Sequence, residues 1–216
     1  MESLEVLRPF SFKGTVLSLP ALRLGRTGKS WLAVILRSTR GGRAYTRILL
    51  NRYTGNGWLD HDFGQYGSVL YGPQNAGYQA FKVLLQDDNK ILVLGSNGEQ
   101  ALVMRFAVDG SPDADFNGGQ PTLIDTDPFA SWRSGAIQTD GKVVLAGQIT
   151  NVPLELILGR IHDDGSLDDD FGTGGWTKRA DGGVCWDMTI QKEGRLIVAG
   201  DALSGKITPV VYGFLP

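Results

Sequence analysis

The feature of this sequence that most constrains its fold is an internal repeat of about 53 residues. The segments 85–95, 137–147 and 190–200 share one pattern: an apolar residue, Gln, a polar turn, a basic residue, four apolar residues and Gly. The basic residues of these segments are 52 and 53 positions apart, and a weaker copy at 24–33 precedes them. A chain that repeats at such a period folds as stacked copies of one small unit. The sequence therefore predicts four copies of that unit.

A second motif recurs between these segments and keeps the same period. It begins with Arg, continues through an Asp-rich turn and ends with Phe, at 52–63, 105–116 and 160–171. Its phenylalanines are 53 and 55 positions apart, so the repeat accounts for nearly all of the 216 residues. We therefore predict one domain over 1–216. Its units are about 16–69, 77–124, 130–178, and 184–216 together with 1–15.

Each unit carries the local signals of four short β-strands. Apolar runs rich in β-branched residues alternate with Asp-Gly or Asn turns, and the 30 glycines suit that many tight turns. We find no helical periodicity of useful length. A period near 53 with four strands is typical of propeller blades, and such rings hold roughly four to eight of them. The predicted fold class is all-β, a β-propeller of four blades with four antiparallel strands each.

The two ends of the sequence suggest how the ring closes. The last unit contains a single strand-like stretch after Gly200, so it lacks a fourth strand, whereas an extra apolar stretch at 4–10 precedes the first unit. Pairing that stretch with the last blade would remove an open sheet edge. Pro9 is tolerated in an outermost strand. We therefore predict that the N-terminal strand closes the ring.

The repeat motifs also point to a family. The last full unit has Arg160, the run Asp-Gly-Ser-Leu-Asp at 164–168 and Phe-Gly at 171–172. Together with the Gln-to-Gly segments, these motifs resemble the bacterial delta-60 repeat family. The resemblance covers three of the four units and fades over 1–50. It implies a β-propeller with no established general activity, so it bears on the fold more than on the function.

Charge and hydropathy exclude several partners. Twenty-one Lys and Arg against 23 Asp and Glu give a formal net charge of −2, so we expect no nucleic-acid partner. No apolar run approaches the roughly 20 residues of a membrane span. Residues 1–5 include acids where a secretory signal needs positive charge. We expect a cytoplasmic protein, monomeric or homodimeric, with no membrane partner.

The Asp-rich turns admit two interpretations. Residues 163–170 offer carboxylates at the short spacing that calcium sites use. Asp and Gly are also the residues that tight turns require, and no copy has the loop pattern of an EF-hand. The structural interpretation is favoured, and we predict no metal and no cofactor.

Recognisable catalytic motifs are missing from the sequence. His61 and His162 lie at nearly equivalent turn positions, and the single Cys185 can form neither an internal disulfide nor a thiol-rich zinc site. No nucleophile elbow, phosphate loop or metalloprotease motif occurs. We therefore predict no catalytic residues and no enzyme, but a non-catalytic binding or interaction module. The alternatives are a carbohydrate-binding lectin and, less favoured, a glycosidase-like or lactonase-like enzyme.

The strand before each Gln differs most between units, and in a propeller that strand lines the central channel. Large aromatic residues and single charges stand in or just before it. Aromatic residues also dominate core contacts, so packing between blades is the competing interpretation. The candidate binding residues, for a protein or carbohydrate ligand, are Tyr78, Phe81, Trp132, Arg133, Trp186 and Asp187.

Overall fold

In the computed structural model, sixteen β-strands and one short 3-10 turn at Asn117–Gly119 make up the regular structure of the described residues. No helix in this part of the chain is long and apolar enough to cross a membrane. The described residues are 15–16, 21–24, 30–40, 43–74, 76–124, 129–150, 154–179, 183–203 and 207–214.

The strands, in chain order, are β1 (Thr15–Val16), β2 (Ala21–Leu24), β3 (Ser30–Arg40), β4 (Arg43–Tyr53), β5 (Ser68–Tyr71), β6 (Gln79–Leu85), β7 (Ile91–Ser96), β8 (Ala101–Phe106), β9 (Thr122–Ile124), β10 (Ala130–Ile137), β11 (Val143–Ile149), β12 (Glu155–Ile161), β13 (Trp176–Arg179), β14 (Gly183–Ile190), β15 (Leu196–Leu203) and β16 (Ile207–Phe214).

The strands form four antiparallel sheets, which we number blades 1 to 4. Blade 1 has the order β1-β3-β4-β5, and β2 pairs with the same edge of β3 as β1 does, so the two short strands form one interrupted inner strand. Blades 2 and 3 have the orders β6-β7-β8-β9 and β10-β11-β12-β13. The inner strands contact one another in the order β2, β6, β10, β14. The predicted all-β, four-bladed propeller is confirmed.

The core lies between the blades, because the central strands β7, β8 and β11 of blades 2 and 3 are buried on both faces. In β7, Ile91 packs with Ile48 of blade 1, whereas Leu92 and Leu94 pack with Val143 of blade 3. Successive strand residues point to opposite faces of a sheet, so a continuous apolar run serves two neighbouring blades at once. Burial of each such side chain contributes about 1.5–3 kcal/mol.

Blade 4 differs from the others in the described residues, where it has three strands in the order β14-β15-β16. The stretch 4–10, which we predicted to supply its fourth strand, lies outside the described residues. Closure of the ring by the N-terminal strand therefore stays a prediction.

The Asp-rich turn motif joins blade 1 to blade 2 and blade 2 to blade 3 through a buried arginine. Arg105 donates from Nε to Asp113 at 2.6 Å, and its guanidinium carbon lies 5.0 Å from the ring centre of Phe116. Its Nη1 also donates to the backbone oxygen of Asp163 in blade 3, at 2.6 Å. Arg52 of blade 1 repeats this arrangement with its own Asp and Phe and with the backbone oxygen of Val108 in blade 2.

The glycine of each turn allows the neighbouring blade to approach. A Cβ atom at Gly165 would lie 2.9 Å from the Phe116 ring, and one at Gly110 would lie 2.9 Å from the Phe63 ring. The turn carboxylates have partners in the protein; the Asp164 carboxylate, for example, accepts hydrogen bonds from the backbone and hydroxyl of Ser166. These contacts support the structural interpretation of the Asp-rich turns.

Candidate functional site

The inner strands of blades 2, 3 and 4 carry a β-bulge at the same position of the repeat. The pairing register shifts around one residue in each strand, and these residues are Phe81, Arg133 and Trp186. A bulge redirects side chains out of the regular alternation of a strand and is frequent next to active sites. Three of the six predicted binding residues are therefore equivalent bulge residues.

The closing Gly of the repeated segment makes room for each bulge. A Cβ atom at Gly95, Gly147 or Gly200 would lie 1.9–2.1 Å from the backbone oxygen of a residue two positions before the bulge residue. No side chain fits at that distance, so only glycine allows the bulged strand to approach its neighbour. The repeated glycine is thus a sequence signal of the bulge.

The residues that follow the bulge residues meet across three blades. Asp187 Oδ1 accepts hydrogen bonds from Lys82 Nζ at 2.7 Å, from Ser134 Oγ at 2.5 Å and from its neighbour's backbone nitrogen at 2.9 Å. Lys82, Ser134 and Asp187 hold equivalent repeat positions, 52 and 53 residues apart. We call the bulge residues and the residues that follow them the bulge site: Phe81, Lys82, Arg133, Ser134, Trp186 and Asp187.

Asp187 is the carboxylate at the centre of the bulge site, and its side chain is 62% exposed. Partial burial raises its pKa, but the hydrogen bonds and charge from Lys82 and the hydroxyl of Ser134 outweigh that effect, so its pKa lies below the usual value. Asp187 is therefore ionised at neutral pH. In the described part of the chain, the hydrogen bonds to this carboxylate all go to its Oδ1.

Arg133 is a partly buried cation at the same site. Its guanidinium carbon lies 3.9 Å from the ring centre of Phe81, and its Nε is buried without a hydrogen-bond partner among the described residues. Burial lowers its pKa, although an arginine remains charged. Buried charges are normally paired, and among the described residues this guanidinium contacts the Phe81 ring.

Trp186 brings a second carboxylate to the bulge site. Its indole is 65% exposed, and its Nε1 donates to Asp201 Oδ2 at 2.8 Å. Asp201 lies on β15, where it pairs with Val184 just before the bulge of β14. Asp187 and Asp201 therefore flank one exposed indole.

Trp132 and Tyr78 lie elsewhere. Trp132 is wholly buried in the core between blades 2 and 3, where a Cβ at Gly159 would lie 2.8 Å from its ring. Tyr78 is partly buried and packs edge-on against Tyr71, with 5.9 Å between ring centres. For both residues the structure supports packing between blades, because Trp132 is buried in the core and Tyr78, just before β6, packs against Tyr71 of blade 1.

Sequence reasoning missed two residues of the bulge site, Lys82 and Ser134, and also Asp201, which contacts Trp186. Lys82 and Ser134 occupy the same repeat position as Asp187, so aligning the units beyond the bulge would have found them. Asp201 has no such signal, because only the pairing of β14 with β15 brings it near Trp186.

Metal and thiol chemistry find no support at the site. In the ranges that the structure describes, no group of three or more His, Cys, Asp or Glu side chains is arranged to hold a metal ion. Cys185 is buried beside the bulge, and burial raises the pKa of its thiol to about 12. A thiol of that kind is inert at neutral pH.

Comparison with known families agrees with the repeat architecture. Residues 86–116 and 138–171 match a family described as a domain of unknown function (DUF5122) beta-propeller. These two segments, in the repeats of blades 2 and 3, therefore resemble the repeats of a β-propeller family. No curated protein resembles the propeller in sequence.

Solved structures resemble the propeller at low identity. An endo-arabinase from Bacteroides thetaiotaomicron VPI-5482 is 13% identical, with a TM-score of 0.46 over 90% of this chain and 74% of that one. The Bombyx mori GH32 β-fructofuranosidase is 13% identical, with a TM-score of 0.40 over 89% of this chain and 43% of that one. The propeller thus spans under half of the second enzyme.

These structures correct two predictions of the sequence analysis. We predicted a non-catalytic binding module and no enzyme, partly because a repeat architecture suggested a passive scaffold. Both predictions are wrong as stated, since the solved propellers that resemble this one include glycosidases. The absence of familiar motifs was poor evidence, because a site assembled from equivalent positions of separate blades leaves no local motif.

Proposed function

We propose that the protein is a glycan-acting hydrolase whose active site is the bulge site. One observation carries the proposal: an ionised Asp187, held by groups from two other blades, stands beside an exposed indole whose N–H contacts a second carboxylate, Asp201. Most glycoside hydrolases use two catalytic carboxylates that flank the scissile bond. An exposed indole offers an apolar face for a sugar ring.

The environment of Asp187 suggests its role. Asp187 has a lowered pKa and an Oδ2 that accepts no hydrogen bond from the described residues, which suits a base or nucleophile. As the glycosidic bond breaks, water would give its hydroxyl group to the new sugar end, and a proton would reach the departing oxygen through the carboxylate pair. Lys82 and Ser134 position Asp187 and keep it ionised.

Arg133 suggests the class of glycan. Its guanidinium lies against Phe81, with its buried Nε unpaired among the described residues, and would bind the carboxylate or sulfate of an acidic sugar. We therefore propose that the preferred substrate is an anionic oligosaccharide.

The test is hydrolysis of a panel of neutral and uronate-containing oligosaccharides. The release of reducing ends measures the rate. We expect turnover of at least one acidic substrate, with kcat at least about 100-fold lower in Asp187→Asn and Asp201→Asn, the size typical of acid–base groups. Asp169→Asn, at an exposed turn position, is the matched control and should keep full activity. No turnover on the whole panel, or an unchanged rate in Asp187→Asn, would overturn the proposal.

Finer assignments belong with this proposal. We propose that the repeats are of the bacterial delta-60 type, which the run at 164–168 and the Gln-to-Gly segments support. The cytoplasmic location, the lack of a nucleic-acid partner and the monomeric or homodimeric state stay predictions of the sequence.

A further inference from the structure

The turn motif of blade 1 differs from those of blades 2 and 3 by three aromatic side chains. Trp58 is 76% exposed and Tyr66 is 64% exposed, and His61, also exposed, contacts Tyr66 edge-on with 6.2 Å between ring centres. The equivalent residues are small or polar, namely Ser111, Ala114 and Gly119 in blade 2 and Ser166, Asp169 and Gly174 in blade 3.

Tyr66 has a backbone conformation that favours glycine. Its φ is +52°, in the left-handed region, where blades 2 and 3 have Gly119 and Gly174 with φ of +77° and +63°. A bulky residue in this region is strained, and such strain clusters at functional sites. Since the Tyr66 ring is mostly exposed, core packing does not account for it.

A cavity of about 500 Å³ lies beside this turn, between blades 1 and 2. Its polar wall consists of Gln65 and Ser68 from blade 1 and of Asp109 and Ser111 from blade 2. Hydrogen bonds from the hydroxyl and backbone of Ser111 lower the pKa of Asp109, so this carboxylate is ionised at neutral pH. The wall therefore presents an amide, two hydroxyls and a negative charge.

The cavity is distinct from the bulge site. The bulge of β6 is near the first residues of that strand, whereas Lys90, in the loop after its last residue, ion-pairs with Asp113 of the turn motif at 3.0 Å. The turn motifs and the bulges therefore lie at opposite ends of the inner strands.

We propose that the blade 1 turn is a second saccharide-binding site, which we call the turn site, and that it takes neutral sugars. Exposed aromatic rings pack against the apolar faces of sugars, and the adjacent carboxylate, amide and hydroxyls bind their hydroxyl groups. Asp109 would repel an anionic sugar, so the turn site selects differently from the bulge site. The proposal stands whether or not the bulge site is catalytic.

The test uses calorimetric titration of the full chain carrying Asp187→Asn, which prevents consumption of the probe at the bulge site. The probes are maltotriose, cellotriose, xylotriose and arabinotriose, with trigalacturonic acid as the anionic comparison. We expect saturable binding of at least one neutral probe, whereas any binding of the anionic probe, which the bulge site prefers, should not change with substitutions at the turn site. Binding of the neutral probe should fall at least tenfold when Tyr66→Gly or Trp58→Ser is added, each of which introduces a residue of blades 2 and 3.

Thermal melting separates this role from a structural one. Tyr66→Gly relieves the left-handed φ, so its melting temperature should equal or exceed that of the parent. Failure of every neutral probe to bind, unchanged binding in both variants, or a large fall in melting temperature with Tyr66→Gly would overturn the proposal.

Self-association that both variants abolish, without sugar binding, would instead assign the patch to a protein interface. Binding here without hydrolysis at the bulge site would contradict only the proposed hydrolase.

Discussion

At the scale of single residues, the buried ion pairs of the turn motif hold specific side chains together. Asp168 is buried and accepts hydrogen bonds from Lys142 Nζ at 2.9 Å and from Arg160 Nε. The hydrogen bonds from Lys142 and Arg160 lower its pKa to about 2, although burial opposes that shift. Asp168 thus couples the first turn of blade 3 to its Asp-rich turn.

This shift predicts how stability depends on pH. Because the pKa of Asp168 is below its usual 3.8 in the native state, its ionised form stabilises the fold above pH 3.8, and this contribution is lost as the pH falls toward about 2. Asp168→Asn should lower the melting temperature at pH 7 and flatten its decline between those pH values. Thermal melts of the variant and of the exposed control Asp169→Asn would measure this. An equally steep acid decline in Asp168→Asn would contradict the assignment.

At the scale of elements, the contact between a turn and the neighbouring blade decides how closely blades pack. Gly165 has a φ of +87°, and a Cβ there would meet the Phe116 ring. Phe171, the corresponding ring of blade 3, is only partly buried, and among the described residues no turn glycine of a following blade covers it. The turn of blade 3 therefore packs against blade 2 as well as within its own blade.

A pair of glycine variants isolates this contact. Gly141 has nearly the same φ, +86°, but an added Cβ would meet nothing within 4 Å. Both Gly→Ala changes impose the same backbone strain, and only Gly165→Ala adds a clash with Phe116. Gly165→Ala should therefore cost about 1–3 kcal/mol more in the free energy of unfolding, the usual penalty of overpacking. Urea denaturation of both variants measures the difference. Equal losses in the free energy of unfolding would show that the close contact between Gly165 and Phe116 does not stabilise the fold.

At the scale of the whole molecule, closure of the ring depends on the outer edge of blade 4. β16 forms hydrogen bonds with β15, and its Val211 is 71% exposed. An unpaired apolar strand edge favours association with other chains. A fourth strand from the N-terminal stretch would satisfy this edge.

Deleting residues 1–12 should therefore lower the melting temperature and cause aggregation at micromolar concentration. Replacing 4–10 by a Gly-Ser segment of equal length is the control for chain length and should have the same effect. Light scattering and thermal melting measure both changes. Full solubility and an unchanged melting temperature in the deletion would show that the ring is completed differently, and sedimentation would then report whether two chains join.

The features of the fold that could be predicted are those that depend on residues close together in the sequence. The period, the strands and the turns depend on residues near one another in the chain, such as the apolar runs and the Asp-Gly pairs of the repeats. The buried β7 shows why this works, since one local pattern of four apolar residues serves both neighbouring blades. The sequence alone therefore determined the all-β class and the four blades.

The bulge site depended on the tertiary structure. Lys82 and Asp187 are 105 residues apart, and only the stacking of the inner strands brings their charges to 2.7 Å. Trp132 is buried in the core, whereas the next residue, Arg133, is the bulge residue of β10. Strand alternation alone does not predict which of these two neighbours lies in the core. Local patterns specify strands because backbone geometry is local. The chemistry at the centre of the ring is decided by packing between blades, because its partners lie one or two full repeats apart.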